Sequence, residues 1–310
     1  MLEYPTLDSL FSTHFDAWGV ARIEPIEDEI DSLKEWIGNG YHAEMQYMAR
    51  NNELRANPCE LLPDARSMIM VLMNYYPHEW QPDNLPQIAA YAYGNDYHHI
   101  VKSKLTQIAE EINKIAPHKY AVFCDSAPVM ERAWAVRAGL GWIGRNGMLV
   151  NPKLGTFTFI GTLITTLELE PSRPMENRCG TCKKCIKACP TEAILGNKTI
   201  DARRCLSYQT IEKRGDIDNE LINLAGNTLY GCDRCQLACP WNRFAKPHNH
   251  PELMQIDGIF NLDWASMTRS EFNNRLKFSP MQRAGLKKIK SRYNQITTNS
   301  SFLTTNSKCI

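Results

Sequence analysis

Eight of the eleven cysteines lie between residues 179 and 239, and their spacing restricts what this stretch can fold into. They read Cys179-x2-Cys182-x2-Cys185-x3-Cys189-Pro190, a lone Cys205, then Cys232-x2-Cys235-x3-Cys239-Pro240. The first run has the grammar of an iron–sulfur motif whose fourth Cys ligates the other cluster of a pair. The second run lacks a leading Cys at that spacing, and Cys205 can replace it. Eight thiolates make two sets of four, so the chain is expected to carry two 4Fe–4S clusters and to move electrons. Three cysteines three apart wrap one face of a cubane, and the N–H groups of their loop bond the cluster sulfurs. The next Cys is expected to open a helix, with Pro suited to its start, and to point at the neighbouring cluster. This pairs Cys179, Cys182, Cys185 and Cys239 around one cluster, and Cys189, Cys205, Cys232 and Cys235 around the other. Zinc ribbons would use separate CxxC pairs. A disulfide framework needs an oxidising compartment, and nothing here directs export.

The 310 residues suffice for one large domain plus a small insert or tail. A net charge of +1 gives no global field that would announce nucleic acid. The start, MLEYPTLDSLF, has neither a basic region nor a long apolar run, so no signal peptide is expected. No apolar stretch approaches membrane-spanning length, so no membrane partner is expected. Free thiols and oxygen-sensitive clusters fit the cytoplasm.

Residues 1–170 alternate between helical and strand patterns. Leu7, Leu10, Phe11 and Phe15 have helical spacing, and Glu27 to Gly38 is acidic at its start and ends on glycine. Val101, Leu105, Ile108 and Ile112 share one face of a helix over His99 to Ile115, and Val129 to Ala138 reads as another. Strands are expected at Val20–Ile23, Ser67–Met73, Tyr120–Cys124 and Thr156–Thr165. The pattern is that of an α/β layer domain. Pro171 to Pro174 reads as a linker, 175–250 as a module held by metal, and 251–310 as helical and then polar. Thr297 to Ser301 is expected to be disordered.

Clusters carry electrons and seldom bind the organic substrate, so the first half must hold the chemistry. Asp125 stands where a strand gives way to a helix, a common position for ligand-facing residues; it would equally serve as a plain N-cap. Gly139-Leu140-Gly141-x2-Gly144 follows a helix rather than a strand, which weakens a dinucleotide reading and favours close passage past a flat cofactor. Tyr97 and His98 open the long helix and could face a pocket, donate protons or stack, although polar capping would explain them too. Met68, Met70 and Met73 read as core. Cys59, Cys124 and Cys309 read as ordinary thiols. Lys183-Lys184, Lys187, Arg203-Arg204 and Lys287-Lys288-x-Lys290-x-Arg292 are local basic patches, for which a solvated face is the plain reading and phosphate contact the other.

Together, CDSAPVMERAWAVRAGLGWIGRN, the GNDYHH box, CGTCKKCIKACPTEAI, DARRCLSYQTIE and YGCDRCQLACPWNR resemble epoxyqueuosine reductases, over residues 40 to 245. The resemblance implies a nitroreductase-like, corrinoid-binding α/β (α+β) domain over 1–170, related to reductive dehalogenases. A two-cluster ferredoxin-like domain over 171–250 and a short helical tail over 251–310 would follow. It implies a cobalamin without a protein lower ligand, reduced through the two clusters by an external low-potential donor. The substrate would be tRNA carrying epoxyqueuosine at the wobble position, and the enzyme a monomer. Asp125 matches the family's proton donor. As an acid it should stay protonated, in an apolar site beside the corrin. Arg55, Tyr97, His98, Asn146, Leu149, Ile160, Gly161 and Ser207 fall where the family's chain runs beside the cobalamin, several through backbone atoms.

Family members typically continue past residue 290 into helical repeats that help to hold tRNA. Here a polar tail follows Lys290, so catalysis is expected to survive while affinity for whole tRNA is in question. A dehalogenase-like reductase of a small molecule would share the cofactors but usually carries an export signal. An electron carrier fused to a binding domain would bind no cobalamin.

Overall fold

The computed structural model describes residues 4–298. In chain order its strands are β1 (Ala17–Arg22), β2 (Ser67–Asn74), β3 (Gln87–Ile88), β4 (Tyr120–Phe123), β5 (Trp142–Ile143), β6 (Leu149–Val150), β7 (Thr158–Thr165) and β8 (Thr228–Tyr230). The helices are α1 (Tyr4–Ser12), α2 (Glu27–Gly38), α3 (Asn52–Ala56), α4 (Tyr97–Ile115), α5 (Glu131–Arg137), α6 (Lys184–Lys187), α7 (Leu206–Ile211), α8 (Ile222–Ala225), α9 (Arg234–Leu237), α10 (Arg269–Arg275) and α11 (Gly285–Thr298). Strands β1, β2, β7 and β4 lie side by side in that order, and every pair is antiparallel. The fold is therefore mixed α/β, with helices covering both faces of an antiparallel sheet.

Strand β2, SMIMVLMN, is buried along its whole length because both of its faces are covered. Ile69, Val71 and Met73 enter a core shared with α1 and α4; Met68, Met70 and Leu72 enter a second core with α2 and α5. The methionines are thus core residues, as their spacing suggests. Strand β7 obeys the same period of two. Phe159 and Leu163 face the α4 side and Ile164 faces the α5 side. Gly161 shares the α4 face, where a Cβ would stand 2.5 Å from Val101 Cγ1 and 2.8 Å from Val71 Cγ2. Its missing side chain lets α4 sit down on the sheet.

Element ends differ from the sequence reading for local reasons. Strand β7 begins at Thr158 because the Thr156 N–H donates to Asn242 Oδ1 (2.7 Å) and not to a neighbouring strand. Helix α5 begins at Glu131 because Val129 closes a turn onto the Ala127 carbonyl. The stretch Pro171 to Pro174 is pinned along the sheet edge: the Val20 N–H donates to Ser172 Oγ (3.0 Å), and the Ser172 N–H to the Val20 carbonyl (2.8 Å).

The segment after 250 is not peripheral. Leu253, Ile259, Trp264, Phe272, Met281, Ile289 and Ile296 all join the core that contains α4. Arg292, read from sequence as part of a basic face, is buried and donates through Nε to the Thr228 carbonyl (2.9 Å), tying α11 to β8. Thr297 and Thr298 close α11, whereas Asn299 to Ser301 and Cys309 lie outside the described residues.

Gly161→Ala should lower stability by about 1–3 kcal/mol, the usual cost of forcing a methyl into a packed core. Val101, Val71 and Leu105 around it are fully buried and have little room to retreat. Denaturant unfolding of the two proteins at equal iron content checks this.

Candidate active site

Asp125 follows β4 in a left-handed turn, at φ +59°, a conformation in which Asp and Asn are enriched among non-glycine residues. The N-cap reading fails: α5 is preceded by Met130, and no side chain caps it. The Asp125 N–H donates instead to both carboxyl oxygens of Glu131, at 2.9 and 3.0 Å. Its own carboxylate Oδ2 accepts from the Tyr97 hydroxyl at 2.8 Å and meets His98 Nε2 at 3.2 Å. On the far side of the imidazole, His98 Nδ1 lies 2.6 Å from Asp96 Oδ1. Asp96 is the N-cap of α4, so the helix start orients the ring. Tyr97 lies flat on Phe159, with centroids 3.9 Å apart and planes at 4°. Tyr97 and His98 are therefore not surface caps. They are one wall of a site whose centre is Asp125.

The charges here differ from the sequence expectation of a protonated aspartic acid. The His98 hydrogen bond holds the Asp125 carboxyl below its ordinary value against the opposing effect of burial, and Tyr97 assists. Burial alone would lower His98, but its hydrogen bonds to Asp125 and Asp96 lift it to about 9. A protonated imidazole donates from both nitrogens, as this arrangement requires. The mobile proton near neutrality thus sits on His98, next to an ionised Asp125. Asp125 keeps 63% of its side-chain surface exposed, so it is reachable, while Tyr97, His98 and Glu131 around it perturb it. Glu131, to which the sequence alone assigns no role, is pushed up to about 8 by burial and by the Asp125 charge. Only its place six residues after Asp125 could have signalled it.

The other expected residues scatter. Ile160 lies beside the Asp125 turn, its carbonyl accepting from Cys124 Sγ at 3.3 Å. Leu149 is buried in the second core. Arg55 is buried on α3 and reaches the Tyr47 carbonyl at 3.4 Å, while its Nε has no partner. Asn146 sits between the cysteine sets: it lines a recess with Cys179, Cys182, Cys185 and Cys239, and its Nδ2 donates to the Cys235 carbonyl at 3.4 Å. Ser207 follows Cys205 in α7. The glycines at 139 and 141 approach no open space. A Cβ at Gly139 would meet the Arg173 carbonyl oxygen at 2.5 Å, and one at Gly141 that of Val150 at 2.2 Å, so the chain's own backbone fills the room kept for a cofactor.

Cys179, Cys182, Cys185 and Cys239 line one recess. Burial raises the Cys239 thiol, and Cys179, Cys185 and Cys182 raise it further. Burial likewise raises Cys235, with Cys232, Cys205, Asp233 and Cys189 adding to it. Cys239 precedes a short 3-10 helix opened by Pro240, and Cys205 precedes α7. Cys189-Pro190 departs from expectation and enters a turn, with the Glu192 N–H on the Cys189 carbonyl at 3.2 Å. Helices α6 and α9, each carrying one motif cysteine, pack on each other.

Residues 178–242 match the family model "4Fe-4S double cluster binding domain", and residues 55–126 match "Epoxyqueuosine reductase QueG, DUF1730". An epoxyqueuosine reductase from Cellulophaga algicola is 41% identical over 287 residues, covering 88% of this chain and 92% of the relative. The chain belongs to the epoxyqueuosine reductase family. Members of this family are oxidoreductases, and two solved structures of such enzymes share the fold. One, in complex with an epoxyqueuosine-modified tRNA-Tyr stem loop, has a TM-score of 0.85 at 27% identity, covering 94% of this chain and 79% of that one. The other, from Bacillus subtilis with its aspartate-bearing catalytic loop swung out of the active site, has a TM-score of 0.87 at 25% identity, covering 97% and 85%.

The site has a pH signature. The folded-state pKa of His98 lies above the free value of 6.5, so its ion pairs contribute fully below about 6.5 and are lost as the pH rises through about 9. Asp125, Asp96 and Tyr97 contact the ring, and Glu131 and Arg132 are the nearby charged groups on α5. The single-turnover rate should therefore fall as the pH rises through about 9. His98→Gln should flatten that limb and lower the plateau by about 10²-fold or more, as expected on losing a positioned proton donor. An unaltered basic limb in His98→Gln would assign it to another group.

Proposed function

We propose that the chain reduces epoxyqueuosine to queuosine at the wobble position of tRNA. Electrons from an external low-potential donor pass through two 4Fe–4S clusters to a cobalamin. The observation that carries this reading is the Asp125–His98–Tyr97 constellation at the sheet end, in a chain of this family. Relatives bound to a modified tRNA stem loop, or with an aspartate-bearing catalytic loop, support it. In this reading residues 1–170 hold cobalamin and substrate, 171–250 hold the clusters, and 251–310 are a short helical and polar tail, in a cytoplasmic enzyme. Among the described residues, no helix is long and apolar enough to cross a membrane.

The reaction takes two electrons and two protons: both C–O bonds of the epoxide break, a C=C bond forms, and the oxygen leaves as water. Cobalamin, when bound, would supply the strong reductant that meets the epoxide-bearing ring. The residues present fit such a group. Asn52 Oδ1 and Arg55 Nε are buried on α3 without a partner, and suit a ligand whose rim carries amides. Ile160, half-buried beside the Asp125 turn, offers apolar contact. The chain's own part is protonation. The proton held on His98 Nε2 moves to Asp125 Oδ2 and from there to the oxygen as its bond to carbon breaks; His98 takes up a second proton from solvent, which follows the same route so that the oxygen leaves as water. Tyr97 holds the Oδ2 atom in place and keeps its own proton, because burial and the Asp125 charge raise its pKa well above the ordinary value. Asp96 holds the recharged imidazole.

Asp125→Asn decides the central role. Asn tolerates the same left-handed turn, so the fold and cofactors should persist. An amide cannot deliver the proton, and general acid catalysis contributes about 10²–10⁴-fold. Single-turnover conversion of epoxyqueuosine tRNA at matched cofactor loading should slow by that factor; a rate near wild type would move the proton to another group.

Cys189→Ser tests the crossed ligand sets. It should damage the cluster of Cys205, Cys232 and Cys235 and spare that of Cys179, Cys182, Cys185 and Cys239. Iron analysis with EPR on anaerobic protein reads this, and the opposite pattern would refute the pairing.

A further inference from the structure

Electrons must enter somewhere, and the two cysteine sets are unequally placed for that. Around Cys179, Cys182 and Cys185 the intervening Gly180, Thr181, Lys183 and Lys184 are exposed, and these cysteines with Cys239 line an open recess. Around Cys205, Cys232 and Cys235 the neighbours Leu206, Gly231 and Gln236 are buried. The first set is thus the outer one.

The surface beside the outer set combines charge with apolar area. Lys183, Lys184 and Lys187 lie on or just before α6, which packs on α9, where Leu237 is 56% exposed. Trp241 lines the recess with the outer cysteines, and its ring lies 5.9 Å from that of Phe244, itself 46% exposed. The Arg243 guanidinium covers that ring at 4.5 Å. With Arg178 and Lys246, six exposed cations occur on 176–192 and 237–246, against Glu176 and Glu192. Among the described residues none of the six cations is in an ion pair. The whole chain carries only +1, so this concentration is local. Exposed apolar side chains rimmed by one sign of charge mark a protein contact, and the cations steer a partner of opposite sign.

We propose that Lys183, Lys184, Lys187, Arg243, Leu237 and Phe244 form the docking surface for an acidic one-electron carrier protein, which delivers electrons to the outer cluster. This rests on the reading that an external donor feeds the clusters. In each encounter the carrier is oxidised by one electron and the outer cluster is reduced by one. Transfer onward to the inner cluster empties the outer one for the next encounter. The cations set the encounter rate, and Leu237 and Phe244 set how long the partners stay together.

The test uses anaerobic, reconstituted protein and stopped-flow reduction of its clusters. The donors are a reduced acidic plant-type ferredoxin and photoreduced deazariboflavin, which is small and uncharged. Lys184→Glu/Arg243→Glu, compared at equal iron content, should slow reduction by ferredoxin at least 10-fold at low salt. The difference should shrink as salt rises, and the deazariboflavin rate should hold. Phe244→Ala should weaken ferredoxin reduction severalfold with little change in salt dependence, which keeps the test informative if the charge reversal fails to load clusters. An unchanged ferredoxin rate, equal slowing with both donors, or a loss confined to tRNA stem-loop binding overturns the proposal. Failure of either donor to reduce any cluster would instead strike at the electron-relay reading itself.

Discussion

The site depends on how closely α4 lies on β7. Leu105, Val101 and Tyr97 follow one another at four-residue intervals down one helix face. Gly161 and Phe159 follow at a two-residue interval along one strand face. Val101 and Leu105 fill the space above Gly161, and one turn further on Tyr97 stacks on Phe159. A larger residue at 161 would lift the helix and, with it, the start that carries Tyr97 and His98. Packing far from the reactive groups thereby sets the distances of 2.8 and 3.2 Å to Asp125.

Much of this was legible in the amino-acid sequence because regular periods and metal spacing are local signals. The α2 bounds, the buried β2 run and the α4 face all follow from spacing. So does the gathering of Cys239 with Cys179, Cys182 and Cys185, since the motif itself encodes the crossing. What escaped reading was pairwise and long-range. Arg292 looked like one more surface cation until a carbonyl 64 residues away claimed it. The glycines at 139 and 141 suggested a cofactor because sequence does not say which backbone they approach. The bond of Asn146 to the Cys235 carbonyl, 89 residues away, is another such contact.

The polar groups at the site form a chain in which each member sets the state of the next. Asp96 caps α4 and accepts from His98, so the helix cap also steadies the imidazolium. That cation holds Asp125 ionised, and burial, with the Asp125 charge added, pushes Glu131 up. An acid isolated in an apolar pocket would hold its proton by desolvation alone. Here the proton is held one residue away, where it can be replaced without dismantling the pocket.

Glu131 explains why the turn can take this shape. A left-handed aspartate on a solvent-facing loop is strained by roughly 1–3 kcal/mol, and nothing in its own sequence holds it there. The buried Glu131 side chain accepts the Asp125 N–H with both oxygens, so the strain is met by hydrogen bonds made only when the turn is closed. The balance is small, since one surface turn is set against one buried contact. Asp125 and Glu131, the residue that fixes its backbone, stand six apart, at the two ends of a single turn. The placement of Asp125 therefore rests on its contact with Glu131.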